Sequence, residues 1–303
     1  MSSAMVLSAQ LVCSRALGWL SRARSGFALP EGATAAQIPA RAVKSVAELG
    51  LAMSLVEREA VAGAEDAQAA RQLAEFAWGQ LDGGLLLYQR QQDDPASSFP
   101  MEVYASFVRA GYRHRGLAAL CAHLVGLRVA RVRESAPHDQ LAVVAAAHQL
   151  SLPAPVDPLV LVERTWLGGQ PEPWMLDAAD AYALTHTVFH LTDFGADPGG
   201  LPQELQEYLH LWLPVWVEVV TETTAWDLVA ELLTVDACLT TPQAYPQAWQ
   251  LLALAQHPDG MLPGGTTKAP RDPEQTFRNH YHPTLVAVIA GTLAVSRSVG
   301  ARG

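Results

Sequence analysis

Cysteine, aromatic residues and charge are all scarce in this chain of 303 residues. It contains 3 cysteines, 7% aromatic residues and 17% charged residues. The cysteines are odd in number and widely separated, at Cys13, Cys121 and Cys238. This pattern argues against a disulfide framework and is typical of a reducing compartment. We therefore expect a cytoplasmic protein.

Positive charge is also in short supply. The chain has 20 Lys and Arg against 30 Asp and Glu, a formal net charge of −10. Nucleic-acid binding requires clustered cations that neutralise phosphates. The nearest approach is Arg128, Arg131 and Arg133, which we interpret as the solvated face of a helix. No nucleic-acid partner is expected.

The sequence lacks an uncharged apolar run of the roughly 20 residues that a membrane-spanning helix needs. Its first 20 residues are apolar but have no basic start, and Arg15, Arg22 and Arg24 interrupt or follow them. A secretory signal is therefore not indicated. We expect residues 1–25 to form an amphipathic helix packed on the rest of the protein, with no membrane span.

Hydrophobic residues make up 50% of the chain and are dominated by alanine and leucine. Both residue types enter helices at little cost, whereas clustered β-branched residues, which favour strands, are rare here. The length is sufficient for one large domain, and no stretch resembles a linker. We predict a single all-helical domain over residues 1–303.

Helical periodicity recurs along the whole chain and is interrupted by Gly and Pro clusters such as Asp82-Gly-Gly and Asp197-Pro-Gly-Gly. The predicted helices are 4–22, 45–62, 66–80, 100–110, 116–132, 139–150, 157–165, 174–192, 203–221, 224–239, 243–256 and 276–297.

Three of the later helices have a polar, ligand-type side chain at a matching position. His186, Asp227 and His282 are 41 and 55 residues apart, about one helical hairpin each. Repeats of helix pairs at this spacing predict a solenoid or a closed ring. We therefore expect stacked helical hairpins.

Short motifs in the same region resemble a known superfamily. Residues 256–260, Gln-His-Pro-Asp-Gly, resemble the QxxDG turn of prenyltransferase β-subunits and of the squalene-cyclase class of terpene cyclases, and residues 80–84 are a looser copy. Residues 272–291, which include Tyr281-His-Pro-Thr-Leu-Val, resemble the helix that supplies a zinc-binding histidine in protein prenyltransferases. The chain thus resembles the α/α-toroid superfamily, and is similar to actinobacterial proteins expected to share that fold. The resemblance implies a ring of helices around a central cavity.

The resemblance also offers a second set of zinc ligands. Asp236-Ala-Cys238 followed by His282 reproduces the order of the prenyltransferase ligands, although it lies at the end of a predicted helix instead of the start. The DxDD segment of the triterpene cyclases and the Trp-Cys-His-Gly motif of the lanthionine cyclases are missing. Cys238 also fits the interpretation of a small buried hydrophobic residue.

His186, His190 and Asp193 share one face of a predicted helix, because positions i, i+4 and i+7 lie within about 60° of one another. Two histidines at i and i+4 of a helix are a standard arrangement for coordinating one metal ion. We predict that His186 binds metal, that His190 is catalytic and that Asp193 contacts substrate. Alternatively, His190 contacts solvent or a backbone carbonyl and Asp193 only ends the helix.

Asp227 and Glu231 form a second pair at i and i+4. Two carboxylates on one helix face repel unless they share a cation, a proton or an arginine. They are metal ligands, acid/base groups or partners of Arg278, which we also predict to bind an anionic part of the substrate. Otherwise Asp227 only favours a helix start and Glu231 is exposed.

These residues lead to a functional hypothesis. We predict a metal-dependent enzyme in which His186, Asp227 and His282 hold a zinc-like divalent ion, with Asp227, Glu231 and His190 as catalytic residues. The ion would act as a Lewis acid or activate a nucleophile. A small molecule or short peptide in specialised-metabolite biosynthesis is the expected substrate. The alternatives are a metal-free acid/base cyclase and a non-catalytic helical scaffold, and an oligomer is compatible with each.

Overall fold

The computed structural model describes residues 3–265 and 272–300, and most of these residues are helical. They form fourteen α-helices and five short 3-10 helices, and no β-strand occurs within this part of the chain. The prediction of an all-helical protein is therefore confirmed over the described ranges.

The helix bounds are, in chain order, α1 (Ser3–Arg22), α2 (Ala40–Glu59), α3 (Ala64–Gln80), α4 (Leu85–Asp93), α5 (Phe99–Arg109), α6 (Arg115–Val125), α7 (Pro137–Gln149), α8 (Pro158–Val162), α9 (Trp166–Gly169), α10 (Ala178–Thr192), α11 (Gln203–Glu222), α12 (Trp226–Cys238), α13 (Pro246–Ala255) and α14 (Pro273–Gly300). The 3-10 helices are Arg24–Phe27, Asp82–Gly84, Arg128–Arg131, Pro173–Met175 and Pro198–Gly200.

Two of the differences between the predicted and observed helices lie next to glycines. The predicted helix 116–132 ends at Val125, where Gly126 caps α6 and Leu127 adopts an extended conformation. Helix α4 was not expected, since the glycines at 83 and 84 marked a break. Both have positive φ, but Gly84 is followed directly by a new helix. The positive φ values of Gly83 and Gly84 link two helical segments, and glycine adopts such values readily.

Pro283 does not mark a helix start near His282, as we expected. It lies inside α14, which begins ten residues earlier at Pro273. An interior proline costs a helix about 3 kcal/mol because it removes a backbone hydrogen bond. Residues 283–295 are all buried, and this packing outweighs the local penalty.

The chain divides into two compact units. Unit 1 comprises Met1–Phe27, Leu55–Gln72 and Thr192–Gly303, and unit 2 comprises Ala28–Ser54 and Leu73–Leu191. We describe each unit by itself.

In unit 1, α12 and α14 pack against each other, with α1 against α13 and α14, and α11 against α12 and α13. Ten consecutive residues of α12, from Val229 to Cys238, are buried, as expected for a helix surrounded by protein. Small residues allow α1 to approach α14 closely. A Cβ on Gly291 would lie 2.7 Å from Cys13 Cβ and 2.8 Å from Ala9 O.

In unit 2, α5 packs against α4 and α7, while α6 packs against α4, and α8 against α7. An aromatic group is centred on Trp78 of α3. Its ring centroid lies 5.1 Å from that of Phe107, 5.4 Å from Tyr112 and 6.5 Å from Tyr104. Such tilted and offset pairs add to the energy of burying large apolar surfaces.

Helices α1 and α14 are each long and apolar enough to cross a membrane, judged by length and composition. In the apolar 18-residue window of α14, the share that is buried within the protein is 72%, compared with 39% in the window of α1. A buried core helix meets the same criterion, so length and composition are weak evidence for a membrane-spanning helix. The expected absence of a membrane span and the cytoplasmic location stay predictions.

Candidate functional site

Three histidines and a tyrosine of unit 2 form what we call the imidazole cluster: His138 on α7 with Tyr182, His186 and His190 on α10. The His186 ring stacks on Tyr182 at 3.8 Å, and His138 packs edge-on against Tyr182 at 5.7 Å. The His186 and His190 rings are 6.0 Å apart. His186 Nδ1 lies 2.9 Å from Tyr182 O, to which it donates, so the neutral ring has its lone pair on Nε2.

The surroundings of His190 disfavour its protonation. Burial, together with the nearby His186 and His138 rings, lowers the pKa of His190 to about 3. A cationic imidazole is disfavoured where water is excluded and other imidazoles lie close. His190 is therefore neutral near pH 7 and able to donate a lone pair.

Asp193 lies beyond the end of α10 and belongs to unit 1. Its φ is +46°, and its carbonyl oxygen accepts a hydrogen bond of 2.7 Å from Arg58 Nη1. The Asp193 carboxylate is 3.9 Å from the same guanidinium group. These contacts fit the alternative in which Asp193 terminates the helix, and its role in substrate binding stays a prediction.

In unit 1 the structure brings Glu231 and His282 together. Glu231 Oε1 is 3.8 Å from His282 Nε2, and Glu231 is only 9% exposed. Asp227 occupies the first turn of α12, where a carboxylate favours the helix dipole. Arg278 forms an exposed i, i+4 ion pair with Glu274. Arg278 is thus partnered on its own helix.

Asp236 and Cys238, the alternative zinc ligands, have structural contacts. The Asp236 carboxylate accepts hydrogen bonds from Gln243 N at 2.7 Å and Ala244 N at 3.1 Å. Cys238 is fully buried, and this burial raises the pKa of its thiol to about 12, although Thr192 hydrogen bonds to it. A fully buried, uncharged thiol fits the interpretation of Cys238 as a small buried hydrophobic residue.

Across residues 3–265 and 272–300, no group of three or more His, Cys, Asp and Glu side chains is arranged to hold a metal ion. The metal-binding role of His186, Asp227 and His282 therefore stays a prediction, as does the choice of zinc.

The turn motif at residues 256–260 has a structural role. Gln256 Nε2 donates to Val12 O at 3.0 Å and to Gly260 O at 2.9 Å, which ties the turn to α1. Gly260 has a φ of +96°, and a Cβ there would lie 2.0 Å from Arg15 O. Only glycine fits this position without displacing the backbone.

The looser copy at residues 80–84 repeats this design. Gln80 Oε1 accepts a hydrogen bond of 2.6 Å from Leu29 N. Four residues later, Gly84 has a φ of +93°, and a Cβ there would lie 2.7 Å from the Trp78 ring. Both motifs therefore consist of an anchoring glutamine and a crowded, left-handed glycine at the fourth position after it.

Unit 2 also contains an apolar cavity of about 420 Å³, which we call the apolar cavity. It lies among α5, α6 and α7 and the segments that follow α4 and α6. The wall is mostly hydrophobic and includes Met101, Cys121, Leu124, Val125, Val129 and Val143. The polar lining residues are Gln91, Asp94, Ser97, Ser98, Arg133 and Gln140.

Local sequence explains how this wall is built. Cys121, Leu124 and Val125 are spaced i, i+3 and i+4, so α6 presents all three on one face. The turn after α4 is fixed by Gln91, whose Nε2 donates to Ser97 O at 2.8 Å. Because α6 ends at Val125, the chain then bends and adds Val129 to the wall.

A larger cleft of about 700 Å³ borders the loop at residues 29–38. Its lining contains three carboxylates, from Glu31, Asp82 and Asp93, and many small or amide residues. Ligand sites are usually lined by hydrophobic side chains with a few placed polar groups. The apolar cavity fits that description better than the larger cleft does.

Sequence reasoning missed the apolar cavity altogether. The signal lay in the stretch that we assigned to a solvated helix face, where Leu127, Val129 and Val132 alternate with the arginines. These three apolar side chains are 36%, 57% and 73% exposed, which a helix packed on its own core would avoid. Neighbouring exposed apolar side chains are a signal for a binding site only where they form a contiguous patch, as they do beside this cavity.

The fold and this site define an all-helical protein with an apolar ligand-sized cavity. Residues 13–292 match the family described as "Domain of unknown function (DUF6895)", and the chain belongs to that family. No curated protein and no solved structure matches it.

Proposed function

We propose that the protein binds a small, mainly apolar molecule in the apolar cavity of unit 2. The observation that carries this proposal is the cavity itself: its volume of about 420 Å³ lies within the usual range for small-molecule sites. Burial of apolar ligand surface contributes about 25 cal/mol per Å². The Cys121 thiol in the wall is 1% exposed, and burial raises its pKa to about 12, so it stays uncharged.

A substitution that fills the cavity tests this proposal. Ala130 lines the cavity and is half-buried, so Ala130→Trp places a large ring in the space a ligand would use. The matched control is Ala122→Trp, an exposed position on α6 outside the lining. We expect Nile red, an uncharged apolar dye, to bind the wild type and the control. Its affinity should fall by about tenfold or more in Ala130→Trp, measured by fluorescence titration.

Circular dichroism checks that each variant is folded. If Ala130→Trp does not fold, Val143→Phe fills the same cavity from α7 and replaces it. Equal dye affinity in the wild type, the filled variant and the control would contradict the proposal, and so would no dye binding to the wild type.

Metal-dependent catalysis is our second proposal, and the imidazole cluster supports it. His186 and His190 lie one turn apart with rings separated by 6.0 Å, and His190 is neutral near pH 7. Neutral imidazole is the form that binds divalent transition metals. A bound ion would supply Lewis-acid chemistry to a small-molecule or peptide substrate. The toroid arrangement of the helical hairpins is likewise a proposal, supported by the two matching glutamine–glycine turns.

Metal analysis of untagged protein tests the second proposal. We expect stoichiometric metal in the wild type and its loss in a His186→Ala/His190→Ala variant. His148→Ala, at an exposed position on α7, is the control and should keep its metal. Full retention in the double variant, or metal far below one ion per chain in the wild type, would refute it.

A further inference from the structure

A second cavity adjoins the apolar cavity. Its volume is about 340 Å³, and it shares Arg133, Gln140 and Val156 with the apolar cavity as common wall residues. A molecule seated in one cavity can therefore extend past these residues into the other.

The second cavity is basic, and we call it the arginine cavity. Three arginines line it, Arg131, Arg133 and Arg164, against one carboxylate, Glu134. Among the described residues, none of these three guanidinium groups forms an ion pair within 4.0 Å, although Arg133 interacts electrostatically with Glu102. Arg133 Nη1 donates to Ala96 O, which holds its side chain at the boundary of the two cavities.

Exposed apolar side chains accompany these arginines. Val132 and Val160 both line the arginine cavity, and they are 73% and 52% exposed. A ligand that covers them removes apolar surface from water while its charged group meets the guanidinium groups.

We propose that the ligand is a single-chain amphipathic anion. Its apolar chain occupies the apolar cavity, and its carboxylate or phosphate head binds Arg131, Arg133 and Arg164. Guanidinium groups match these anions through paired, charge-assisted hydrogen bonds. This assignment rests on the proposed function, because it names the ligand class of the same site.

The probes separate the two halves of such a ligand. Decanoate and decyl phosphate carry both halves, decanol carries only the chain, and inorganic phosphate carries only an anionic head. Decyltrimethylammonium reverses the charge. Vesicles of anionic phospholipid test whether the anion must instead be presented by a membrane surface.

Isothermal titration calorimetry measures each affinity. We expect the wild type to bind decanoate or decyl phosphate about tenfold or more tightly than decanol, and decyltrimethylammonium more weakly still. The preference for the anion should shrink as salt increases, because these arginines are exposed and their charges are screened.

The decisive variant is Arg131→Gln/Arg164→Gln. It should lose about tenfold or more in affinity for decanoate and keep its affinity for decanol. Arg128→Gln is the matched control, since Arg128 begins the same 3-10 helix and lines neither cavity. The control should stay within about twofold of the wild type.

The outcomes separate this inference from the proposed function. Equal binding of decanoate and decanol, or an unchanged decanoate affinity in the double variant, overturns the inference and leaves an apolar ligand site. Binding to anionic vesicles alone also overturns it. If neither the uncharged nor the anionic probes bind the wild type, both proposals fail.

Discussion

Gly260 shows how a single residue sets the geometry of a turn. Its φ of +96° lies in the left-handed region, and a Cβ there would lie 2.0 Å from the backbone oxygen of Arg15. Gly265 has a similar φ of +87°, but no atom of the described residues lies within 4 Å of a Cβ built there. Comparing substitutions at the two positions therefore separates the energetic cost of a positive φ from the cost of a close contact.

We expect Gly260→Ala to lower the free energy of unfolding by about 2 kcal/mol more than Gly265→Ala does. Both substitutions strain the backbone by about 1 kcal/mol, but only Gly260→Ala must also displace α1. Urea unfolding followed by circular dichroism measures the difference. Equal losses at the two positions would show that the contact with Arg15 is unimportant.

His190 makes stability depend on pH. Its folded pKa of about 3 is far below the value of about 6.5 for an unfolded histidine. Between these values the unfolded chain binds the proton and the folded chain does not. The free energy of unfolding therefore decreases as pH falls from about 6.5 towards 3. Above pH 6.5, the contribution of His190 to stability is fully present.

His190→Asn should reduce this dependence. We expect the wild type to lose about 1–2 kcal/mol more than the variant between pH 7 and pH 5, as measured by urea unfolding. Comparing the two proteins cancels the carboxylates that titrate in both. Parallel pH profiles would mean that His190 is protonated as easily in the folded protein as in the unfolded chain.

At the scale of the element, α12 carries two aspartates with different environments. Asp236 is 5% exposed near the end of the helix and accepts two backbone hydrogen bonds from residues 243 and 244. Burial raises the pKa of Asp236, although those hydrogen bonds act in the opposite direction. Asp227 lies in the first turn, where only the helix dipole favours it.

We expect Asp236→Ala to destabilise the protein by about 3 kcal/mol, because it leaves two backbone N–H groups unpaired. Asp227→Ala should cost less than about 1 kcal/mol. Thermal and urea unfolding of the two variants check this contrast. A large loss in Asp227→Ala would instead reveal a structural partner for that carboxylate.

The position at which α6 ends determines which residues line the candidate site. Had α6 continued to residue 132, as the periodicity predicted, Arg131 would have lain on a solvated helix face. Helix α6 ends at Val125 with Gly126 as its C-cap, and the 3-10 helix that follows places Val129 in one cavity and Arg131 in the next. Because α6 ends there, residues that were predicted to lie on a solvated helix face line the two cavities instead.

At the scale of the whole molecule, the arginine cavity is a local exception on an acidic protein. The formal net charge of −10 repels polyanions, whereas the three arginines of the arginine cavity concentrate positive charge at one place. A polyanion is subject mainly to the long-range repulsion of the whole protein, whereas a small anion can approach the arginines closely.

We therefore expect no binding of duplex DNA at physiological salt, measured by fluorescence anisotropy of a labelled oligonucleotide. The net charge opposes the release of counterions that drives such binding. Low-salt measurements provide the control, since they exaggerate electrostatic attraction. Tight binding with a steep dependence on salt would show that the basic residues act together as a nucleic-acid surface.

The sequence by itself determined the helical class and most helix positions, because helix formation depends on neighbours three and four residues apart. Helix α11 was predicted at 203–221 and found at Gln203–Glu222. The turn motifs were equally readable, since a left-handed glycine is a local requirement.

Only the tertiary structure decided which side chains meet. Nothing local to Glu231 indicates His282, and nothing local to Arg131 indicates Arg164 across the arginine cavity. Contacts between distant residues depend on how helices pack, and cavities depend on where that packing is incomplete. For that reason the sequence predicted a helical protein with ligand-type side chains, whereas the pair of adjoining cavities became visible only in the folded chain.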